Sequence, residues 1–459
     1  MSWRCIFPPV SSLSEVKTGR GISLLFSHEP FEMLTILIFV LLLVFIMINI
    51  PIAVAMGLTA IIFFIGLGNA SLLTMLPQRM YASTTGFTLL AIPFFILAGN
   101  LMNSGGVTNR IFRFAKAVIG HIPGGLGQVS IVANVIFSGM SGSAIADAAG
   151  LGQILHKAMV DNGIPPKSSA SIVAAAATIG PVIPPSIPFV LYGALTGVSV
   201  GQLFLAGFIP GALMAIAMMA AIWVIAKRHH FPKEERAHFN EVAASFKDAF
   251  LPLLTPVIII GGILSGLFTP TEAAVVASLY ALLLGFLYRD LKWKDLPAVL
   301  WRSIKQTISL LFIISAAGFF GWLTIHQKIP DQIILSLTDM SATSSGIIAV
   351  IILIVLLLGC FLEGNAIFII TIPIFLPIAQ KFGIDLVNFG VVMTLLIMIG
   401  NLTPPVGMCL FAVSSFSKIG IGTLSREVWP YLVGIFVVTI LIAYVPQIAT
   451  FLPVLVMGR

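Results

Sequence analysis

The sequence predicts an all-α polytopic membrane protein made of two inverted-topology repeats, each with a re-entrant helical hairpin and a broken transmembrane helix. Of its 459 residues, 58% are hydrophobic and 9% are charged, far from the composition of soluble domains. Apolar runs long enough to span a bilayer begin at Met33 and recur to the C-terminus. The sequence IGPVIPPS at 179–186 is matched by IGNLTPPV at 399–406, an offset of 220 residues.

The prolines of these two segments predict a break in each helix. Pro181, Pro184 and Pro185 lack an N–H group and clash with the preceding helical turn. Irregular backbone at membrane depth is tolerated only where it is buried in protein or lines a wet cavity. Ion-coupled transporters build their binding sites from such broken helices. Both segments are therefore candidate binding sites.

Residues 1–32 differ from the rest of the chain. They are polar and mixed, with Pro8 and Pro9, and contain no apolar run typical of a signal peptide. We expect an N-terminal extension over 1–32 that is disordered or not native, with Met33 as the natural start.

The first predicted repeat covers residues 33–228. Residues 105–124 alternate basic and apolar side chains at helical spacing, which predicts an amphipathic helix at the membrane surface. Residues 125–157 are apolar on both sides of the centre SGMSGS, and each half is too short to cross, so they predict a hairpin. The expected crossings are 33–49, 51–67, 88–104, the broken helix 168–196, and 203–226.

A basic segment over 229–251 is the predicted cytoplasmic linker, and the second repeat covers 252–459. Its expected elements are crossings at 252–268, 271–288 and 306–324, a hairpin at 347–381, a broken helix at 387–416 and a last crossing from Pro430. Matched landmarks such as Pro51 and Pro270, or Pro210 and Pro430, keep an offset between 219 and 222 residues. A nearly constant offset over so long a stretch favours an internal duplication.

Five crossings and one hairpin per repeat would invert the second repeat relative to the first. Of the 24 Lys and Arg residues, 17 fall on the face that holds 105–125, 157–167, 227–250, 289–305 and 416–428. The positive-inside rule makes this face cytoplasmic, so both termini are expected on the opposite, periplasmic side.

Hairpin tips and helix breaks bring free carbonyls together with small polar side chains, which suits an oxygen-coordinated cation, whereas helix N-termini favour an anion. At the first tip we expect Ser141, Ser143 and Asp147 to face Gly180, Ile183 and Pro185; at the second we expect Asn365 to face Gly400, Thr403 and Pro405. Any one glycine or serine is better explained by close helix packing. The occurrence of two hairpin tips at matching positions relative to two helix breaks favours a binding site over close helix packing alone.

Two acidic residues lie beside the tips, Asp147 and Glu363. An ionised carboxylate at membrane depth is costly and usually functional. Glu272 follows Thr269 and Pro270 and is typical of the first turn of a helix, where it needs no functional role.

Other classes of protein find little support. Residues 139–142, GMSG, match the serine motif of rhomboid proteases, but none of the seven histidines lies inside a span to activate the serine. HExxH and GxxxxGK[ST] motifs are absent, so neither a zinc protease nor an ATP-driven pump is predicted. Cys5, Cys360 and Cys409 are too scattered for a transition-metal site. A channel would need a ring of pore-lining residues rather than paired hairpins.

The segments AIPFFILAGNLMNSGG, FSGMSGSAIADAAGLG, AAAATIGPVIPPSIPFVLYG and IGNLTPPVG resemble the large permease subunit of tripartite ATP-independent periplasmic (TRAP) transporters. The resemblance covers nearly everything from Met33 to the C-terminus. It implies sodium-coupled, ATP-independent uptake of an organic acid across the bacterial inner membrane. It also implies a periplasmic substrate-binding protein, a separate small four-helix membrane subunit, and an elevator mechanism in which hairpins and broken helices move past a scaffold.

By this resemblance, one sodium site would use Ser141, Ser143, Asp147, Gly180, Ile183 and Pro185, and the other Asn365, Gly400, Thr403 and Pro405. The substrate region would include Ser143, Ser186, Glu363 and Asn365. A C4-dicarboxylate, a sialic acid or a sugar acid is compatible as substrate. The alternative is a stand-alone sodium–dicarboxylate symporter of similar fold, although the Ser-Asn-Thr tip motif of that family is missing here.

Overall fold

The computed structural model describes residues 29–339 and 343–458, and every regular element within these ranges is a helix. The described residues from Ile52 onward form one compact unit, and the described residues up to Pro51 belong to another. The described part of the latter contains helix α1 (Glu29–Met47). Most of the predicted extension over 1–32 lies outside the described residues.

Six helices are long and apolar enough to cross a membrane, or up to eight if each of two bent helix pairs counts as one span. The six are Phe87–Ser104, Val200–His229, Phe239–Leu264, Pro270–Leu287, Leu296–His326 and Gly364–Lys381. The expectation of an all-α, polytopic membrane protein is therefore confirmed for the part of the chain that the structure describes.

The helices between residues 52 and 229 include two short 3-10 turns, Ala70–Met75 and Phe87–Leu90. The α-helices are α2 (Ile52–Gly66), α3 (Leu76–Ala82), α4 (Ala91–Ser104), α5 (Val107–Ile119), α6 (Gly125–Ser141), α7 (Ala144–Ala149), α8 (Leu151–Asp161), α9 (Pro166–Ala177), α10 (Ile187–Thr196) and α11 (Val200–His229).

The remaining helices follow a short irregular segment after His230. They are α12 (Phe239–Leu264), α13 (Pro270–Leu287), α14 (Leu296–His326), α15 (Ile329–Asp339), α16 (Ser344–Gly359), α17 (Gly364–Lys381), α18 (Leu386–Gly400), α19 (Met408–Ser417), α20 (Ile421–Glu427), α21 (Trp429–Tyr444) and α22 (Gln447–Met457).

The helix interruptions lie at the Pro-Pro pairs. α9 ends at Ala177, and α10 begins after Ser186, whose hydroxyl accepts a hydrogen bond from the Phe189 N–H at 3.2 Å. α18 ends at Gly400, and α19 begins at Met408. Because proline cannot donate the helical hydrogen bond, the backbone leaves the helix at these positions.

Several helices extend beyond the apolar spans read from the sequence. α12 begins at Phe239, so the predicted linker over 229–251 is partly helical. α14 spans 31 residues, although only 306–324 are expected to cross. Hydrophobicity marks the part of a helix that suits hydrocarbon, while backbone hydrogen bonds continue through polar turns at the membrane surface.

The helices of the larger unit pack in two groups. In the first group, α4 packs along α13, α12 packs on α13, and both α2 and α4 pack on α14. In the second group, α11 packs on α21, α18 packs on α16 and α21, and α9 packs on α8 and α19. Helices α6 and α17 connect the two groups: α6 contacts both α4 and α11, and α17 contacts both α14 and α18.

Helix α5 is held by charged contacts as well as by packing on α6 and α12. Arg110 pairs with Asp290 at 2.7 Å, Arg113 with Asp248 at 2.8 Å, and Lys116 with Glu234 at 2.9 Å. These pairs are partly exposed, so each contributes modestly to stability. Together they orient the amphipathic helix relative to α12, the segment that precedes it and the residues that follow α13.

A buried hydrogen bond ties α10 to α18. The hydroxyl of Tyr192, whose side chain is fully buried, donates to the Leu386 carbonyl at 2.7 Å. We expect Tyr192→Phe to lower the melting temperature of the purified protein, corresponding to a loss of about 1 kcal/mol. Tyr444→Phe is the control, because that exposed hydroxyl reaches the Ser345 carbonyl only at 3.5 Å. Equal melting temperatures for both variants would contradict this role for Tyr192.

Candidate functional site

One small cavity lies between the two hairpin tips and the two helix breaks. Its volume is about 50 Å³. It is lined from the first half by Gly142, Ser143, Ala144, Ile145, Pro181, Ile187 and Pro188, and from the second half by Glu363, Gly364, Asn365, Ile397, Met398 and Asn401. Residues that are more than 200 positions apart in the chain therefore share one site.

The first tip rests directly on the first break. Gly142 adopts a left-handed conformation with φ +62°, and its carbonyl accepts a hydrogen bond from the Ile187 N–H at 3.4 Å. A Cβ atom at this position would lie 2.7 Å from the Pro185 carbonyl oxygen. Both the backbone conformation and the close approach require glycine here.

Two serines shape this tip. The hydroxyl of Ser141 accepts a hydrogen bond from the Ser143 N–H at 3.3 Å. The hydroxyl of Ser143 accepts from the Ala146 N–H at 3.4 Å and so caps α7. Ser143 lines the cavity, whereas Ser141 is buried behind it.

Asp147 is the least satisfied polar side chain of the region. It is fully buried, and neither carboxylate oxygen has a hydrogen-bond partner among the described residues. Ser141 lies near the carboxyl group without a hydrogen bond of normal geometry. A Cβ at Gly180 would overlap Asp147 Oδ2, so the carboxylate touches the break. The buried thiol of Cys409, on α19, is also close.

An unpaired buried carboxylate is costly and is normally compensated by a cation or a proton. The groups near Asp147 include the Ser141 hydroxyl, the Gly180 backbone at the helix break and the Cys409 thiol. The hydroxyl and the free backbone carbonyls of a break suit a hard, oxygen-coordinated cation. The residues predicted for the first site thus offer chemistry that fits sodium.

The other first-half candidates differ in their surroundings. The side chain of Ile183 packs against Gly211 of α11, and Pro185 presents its carbonyl to the tip. Ser186 is fully buried; its hydroxyl donates to the Pro181 carbonyl and caps α10. Ser186 therefore shapes the break beside the cavity, whose lining includes Ile187 next to it.

The second tip places a carboxylate in the cavity. Glu363 occupies the position before α17, and its Oε1 accepts a hydrogen bond from the Asn365 side-chain amide at 2.6 Å. Both residues line the cavity. The structure thus brings Ser143, Glu363 and Asn365, three of the four residues predicted for the substrate region, to one cavity.

The second break is held differently from the first. The Val406 N–H donates to the Cys360 carbonyl at 3.1 Å. A Cβ at Gly400 would lie 2.8 Å from the Gly359 Cα. The hydroxyl of Thr403, within the break, donates to the Ile399 carbonyl in the last turn of α18 at 2.7 Å, and Pro405 is exposed. Among the described contacts, no hydrogen bond joins Asn365 to Thr403.

Sequence reasoning missed three positions of interest. Pro181 and Asn401 both line the cavity and are separated by the 220-residue offset of the two break motifs. Comparing the motifs position by position could have found them. Cys409 lies near Asp147 although it belongs to the other half, and no sequence signal links the two residues.

The electrostatics of the cavity come from dipoles and one carboxylate. Among the described residues that line it, there is no Lys or Arg. The first residues of α10 and of α17 lie on its wall, and the positive ends of helix dipoles favour an anionic group. The helix ends therefore favour a small anionic group in the cavity, whereas the Glu363 carboxylate on the same wall would repel it.

Paired hairpins and broken helices around a buried polar site are typical of secondary transporters. The chain matches the family "Tripartite ATP-independent periplasmic transporter, DctM component" over residues 39–448. It belongs to this family and is a large permease subunit of a TRAP transporter.

Three of its relatives are permeases named for sialic acid or C4-dicarboxylate transport. It is 44% identical to the sialic acid TRAP transporter large permease protein SiaM of Vibrio cholerae, over 86% of this chain and 93% of that protein. It is 40% identical to the C4-dicarboxylate TRAP transporter large permease protein DctM of Pseudomonas aeruginosa, over 82% of this chain and 88% of that protein. It is 42% identical to the sialic acid TRAP transporter permease protein SiaT of Haemophilus influenzae, over 82% of this chain and 61% of that protein.

Two solved structures share the fold at low sequence identity. The Alcanivorax borkumensis YdaH transporter has a TM-score of 0.58 and 16% identity, covering 82% of this chain and 88% of that one. Neisseria gonorrhoeae MtrF has the same TM-score and identity, and the match covers 81% of this chain and 83% of the MtrF chain. The resemblance to these two transporters concerns the fold alone.

Gly180 provides a direct test of the contact between Asp147 and the break. We expect Gly180→Ala to lower the melting temperature, because the added methyl group must displace the buried carboxylate or the break itself. Gly57→Ala is the control: it lies in α2 with nothing within 4 Å of the added Cβ. That change should be neutral or stabilise the helix by up to about 1 kcal/mol. An unchanged melting temperature for Gly180→Ala would argue against close contact.

Proposed function

We propose that this permease imports an organic acid by coupling its movement to a sodium gradient. The observation that carries the proposal is the cavity shared by both tips and both breaks, with the unpaired Asp147 carboxylate next to the first break. Sodium would supply the positive charge that balances this carboxylate. ATP plays no part in the proposal.

For the first sodium site, the buried Asp147 and its contact with Gly180 support the proposed set of Ser141, Ser143, Asp147, Gly180, Ile183 and Pro185. In the second, the Thr403 hydroxyl bonds to the Ile399 carbonyl at the end of α18. We retain Asn365, Gly400, Thr403 and Pro405 as the proposed second set. There a sodium ion would draw Thr403 and Asn365 together.

The substrate is proposed to be a carboxylate bound between the tips. The named relatives transport sialic acid or C4-dicarboxylates, and both contain carboxylate groups. The N-termini of α10 and α17 would receive such a group near Ser143 and Asn365. A cavity of about 50 Å³ holds only a few water molecules. The tips must therefore separate before a whole substrate can enter.

Membership of the TRAP family supports two partners for this subunit: a small four-helix membrane subunit and a periplasmic binding protein that delivers the acid. The bacterial inner membrane is the proposed location, with both termini on the periplasmic side and the ion-paired helix α5 on the cytoplasmic side. The distribution of Lys and Arg supports this orientation.

An inverted-repeat elevator is the proposed mechanism. Gly142 and Gly364, and Ser143 and Asn365, are pairs at a 222-residue offset that line the same cavity, which supports an internal duplication. Helix α11 packs against the broken helices at α10 and α18, and α21 packs against α18. This packing favours a moving group that contains α11, α21, the broken helices and the hairpins. The moving group would then slide along α4 and α14.

The test is uptake into proteoliposomes that hold this chain and its small partner. Sialic acid, a C4-dicarboxylate and a sugar acid would be offered, with and without the binding protein and an inward sodium gradient. We expect uptake of one acid to require both additions. Sodium-dependent uptake by this chain alone would instead favour the stand-alone symporter, and uptake without sodium would contradict the coupling.

Asp147→Asn tests the coupling ion in the same assay. We expect half-maximal uptake to need at least about tenfold more sodium, because removing the charge weakens binding by ~1.4 kcal/mol or more. The rise in melting temperature that sodium causes in the wild-type protein should also shrink. Glu235→Gln, in the exposed linker, is the control and should change neither quantity. A wild-type sodium response in Asp147→Asn would remove Asp147 from the site.

A disulfide across the contact between α14 and α17 tests the elevator. A Cβ at Gly321 would lie 3.5 Å from the Pro373 Cβ, within the disulfide range of about 3.5–4.5 Å. In a background without Cys5, Cys360 and Cys409, we expect oxidation of Gly321→Cys/Pro373→Cys to stop uptake and reduction to restore it.

The matched control for this cross-link lies within the proposed moving group. A Cβ at Gly434 of α21 would lie 3.3 Å from the Ala217 Cβ of α11, so a shift of a few tenths of an ångström brings the pair into the disulfide range. Oxidised Ala217→Cys/Gly434→Cys should form a disulfide and retain uptake. Continued transport by the cross-linked Gly321→Cys/Pro373→Cys protein would exclude sliding at this contact.

A further inference from the structure

A basic and aromatic segment at 289–305 joins the end of α13 to the first turns of α14. It contains five cationic residues, namely Arg289, Lys292, Lys294, Arg302 and Lys305, against two acidic ones, Asp290 and Asp295. All five cationic residues are exposed, and none forms an ion pair with another described residue. Asp290 is already paired with Arg110. The segment therefore presents an excess of positive charge.

Two tryptophans accompany these charges. The side chain of Trp293 is 74% exposed and that of Trp301 is 59% exposed. Trp293 packs on Phe286 of α13 with ring centroids 4.6 Å apart, and the Lys305 ammonium lies 5.4 Å from the centre of the Trp301 ring. Leu300 and Ile304 are also exposed on the same turns of α14. Exposed tryptophans beside Lys and Arg are typical of the membrane–water interface.

The length of α14 supports this location. A helix of 31 residues is about 46 Å long, more than the hydrocarbon thickness of about 30 Å. One end must therefore extend beyond the hydrocarbon. The N-terminal turns contain Arg302 and Lys305, whereas the following turns are strongly apolar. The first turns of α14 and the preceding loop consequently belong at the level of the lipid headgroups.

We propose that residues 289–305 bind the headgroups of anionic phospholipids. The positive charge complements the phosphate groups, and the exposed apolar side chains between the cations can enter the edge of the hydrocarbon. An acidic protein surface would satisfy the charges but would leave Leu300 and Ile304 in water. The surface is separate from the cavity, so this proposal does not depend on the transported substrate or on sodium coupling.

The test uses the full chain in nanodiscs, alone and with any membrane subunit that co-purifies with it. Brominated phosphatidylglycerol or brominated phosphatidylcholine is included as a minor lipid that quenches nearby tryptophans. The contribution of the two tryptophans is obtained by comparison with Trp293→Phe/Trp301→Phe. We expect phosphatidylglycerol to quench this contribution about threefold more strongly than phosphatidylcholine at equal mole fraction, and high salt to reduce the difference.

Two triple variants make the test specific. Lys292→Gln/Lys294→Gln/Lys305→Gln should abolish the preference for phosphatidylglycerol. Arg79→Gln/Lys328→Gln/Lys381→Gln, which removes the same charge from the opposite predicted face, should retain it. The proposal is overturned if the wild-type protein shows no preference, or if the first variant keeps it. It is also overturned if the co-purifying subunit abolishes quenching, since a protein would then cover this surface.

Discussion

The need to satisfy backbone polar groups away from water governs how this protein is built. At each Pro-Pro pair the helix stops, and its free N–H and carbonyl groups require partners that lipid cannot supply. The structure supplies several of them from the hairpin tips. The Gly142 carbonyl accepts from the Ile187 N–H, and the Cys360 carbonyl accepts from the Val406 N–H. Each tip is thereby held against the break of its own half.

A consequence of this arrangement is that the polar residues of four segments meet at one place. The two tips lie between the two breaks, and the space left between them is the cavity with Ser143, Glu363 and Asn365 on its wall. A polar site in an apolar bundle thus arises from the same backbone interruptions that make the fold possible. The described lining of the cavity contains no cationic side chain, and helix ends and amides provide its polarity.

The two breaks differ in their burial and in the acidic side chain that lies beside them. The first break is buried throughout, including Pro184 and Pro185, and it touches the unpaired Asp147 carboxylate. In the second half, Pro404 and Pro405 are exposed, and the acidic residue is Glu363, which bonds to Asn365. A buried carboxylate without partners has a stronger need for a cation than one that is partly exposed and hydrogen-bonded. The two candidate cation sites are therefore not equivalent.

The sequence by itself determined the membrane class, the family resemblance and the positions of the helix breaks, because proline, glycine and hydrophobic length act locally on the backbone. It also indicated Ser143, Glu363 and Asn365, since tip residues are readable from the interruption between two apolar arms. Only the tertiary structure decided that Asn401 and Pro181 share the cavity and that Cys409 approaches Asp147. Those outcomes depend on how segments more than 200 residues apart pack together, and no local pattern encodes the neighbours that a side chain meets across such a distance.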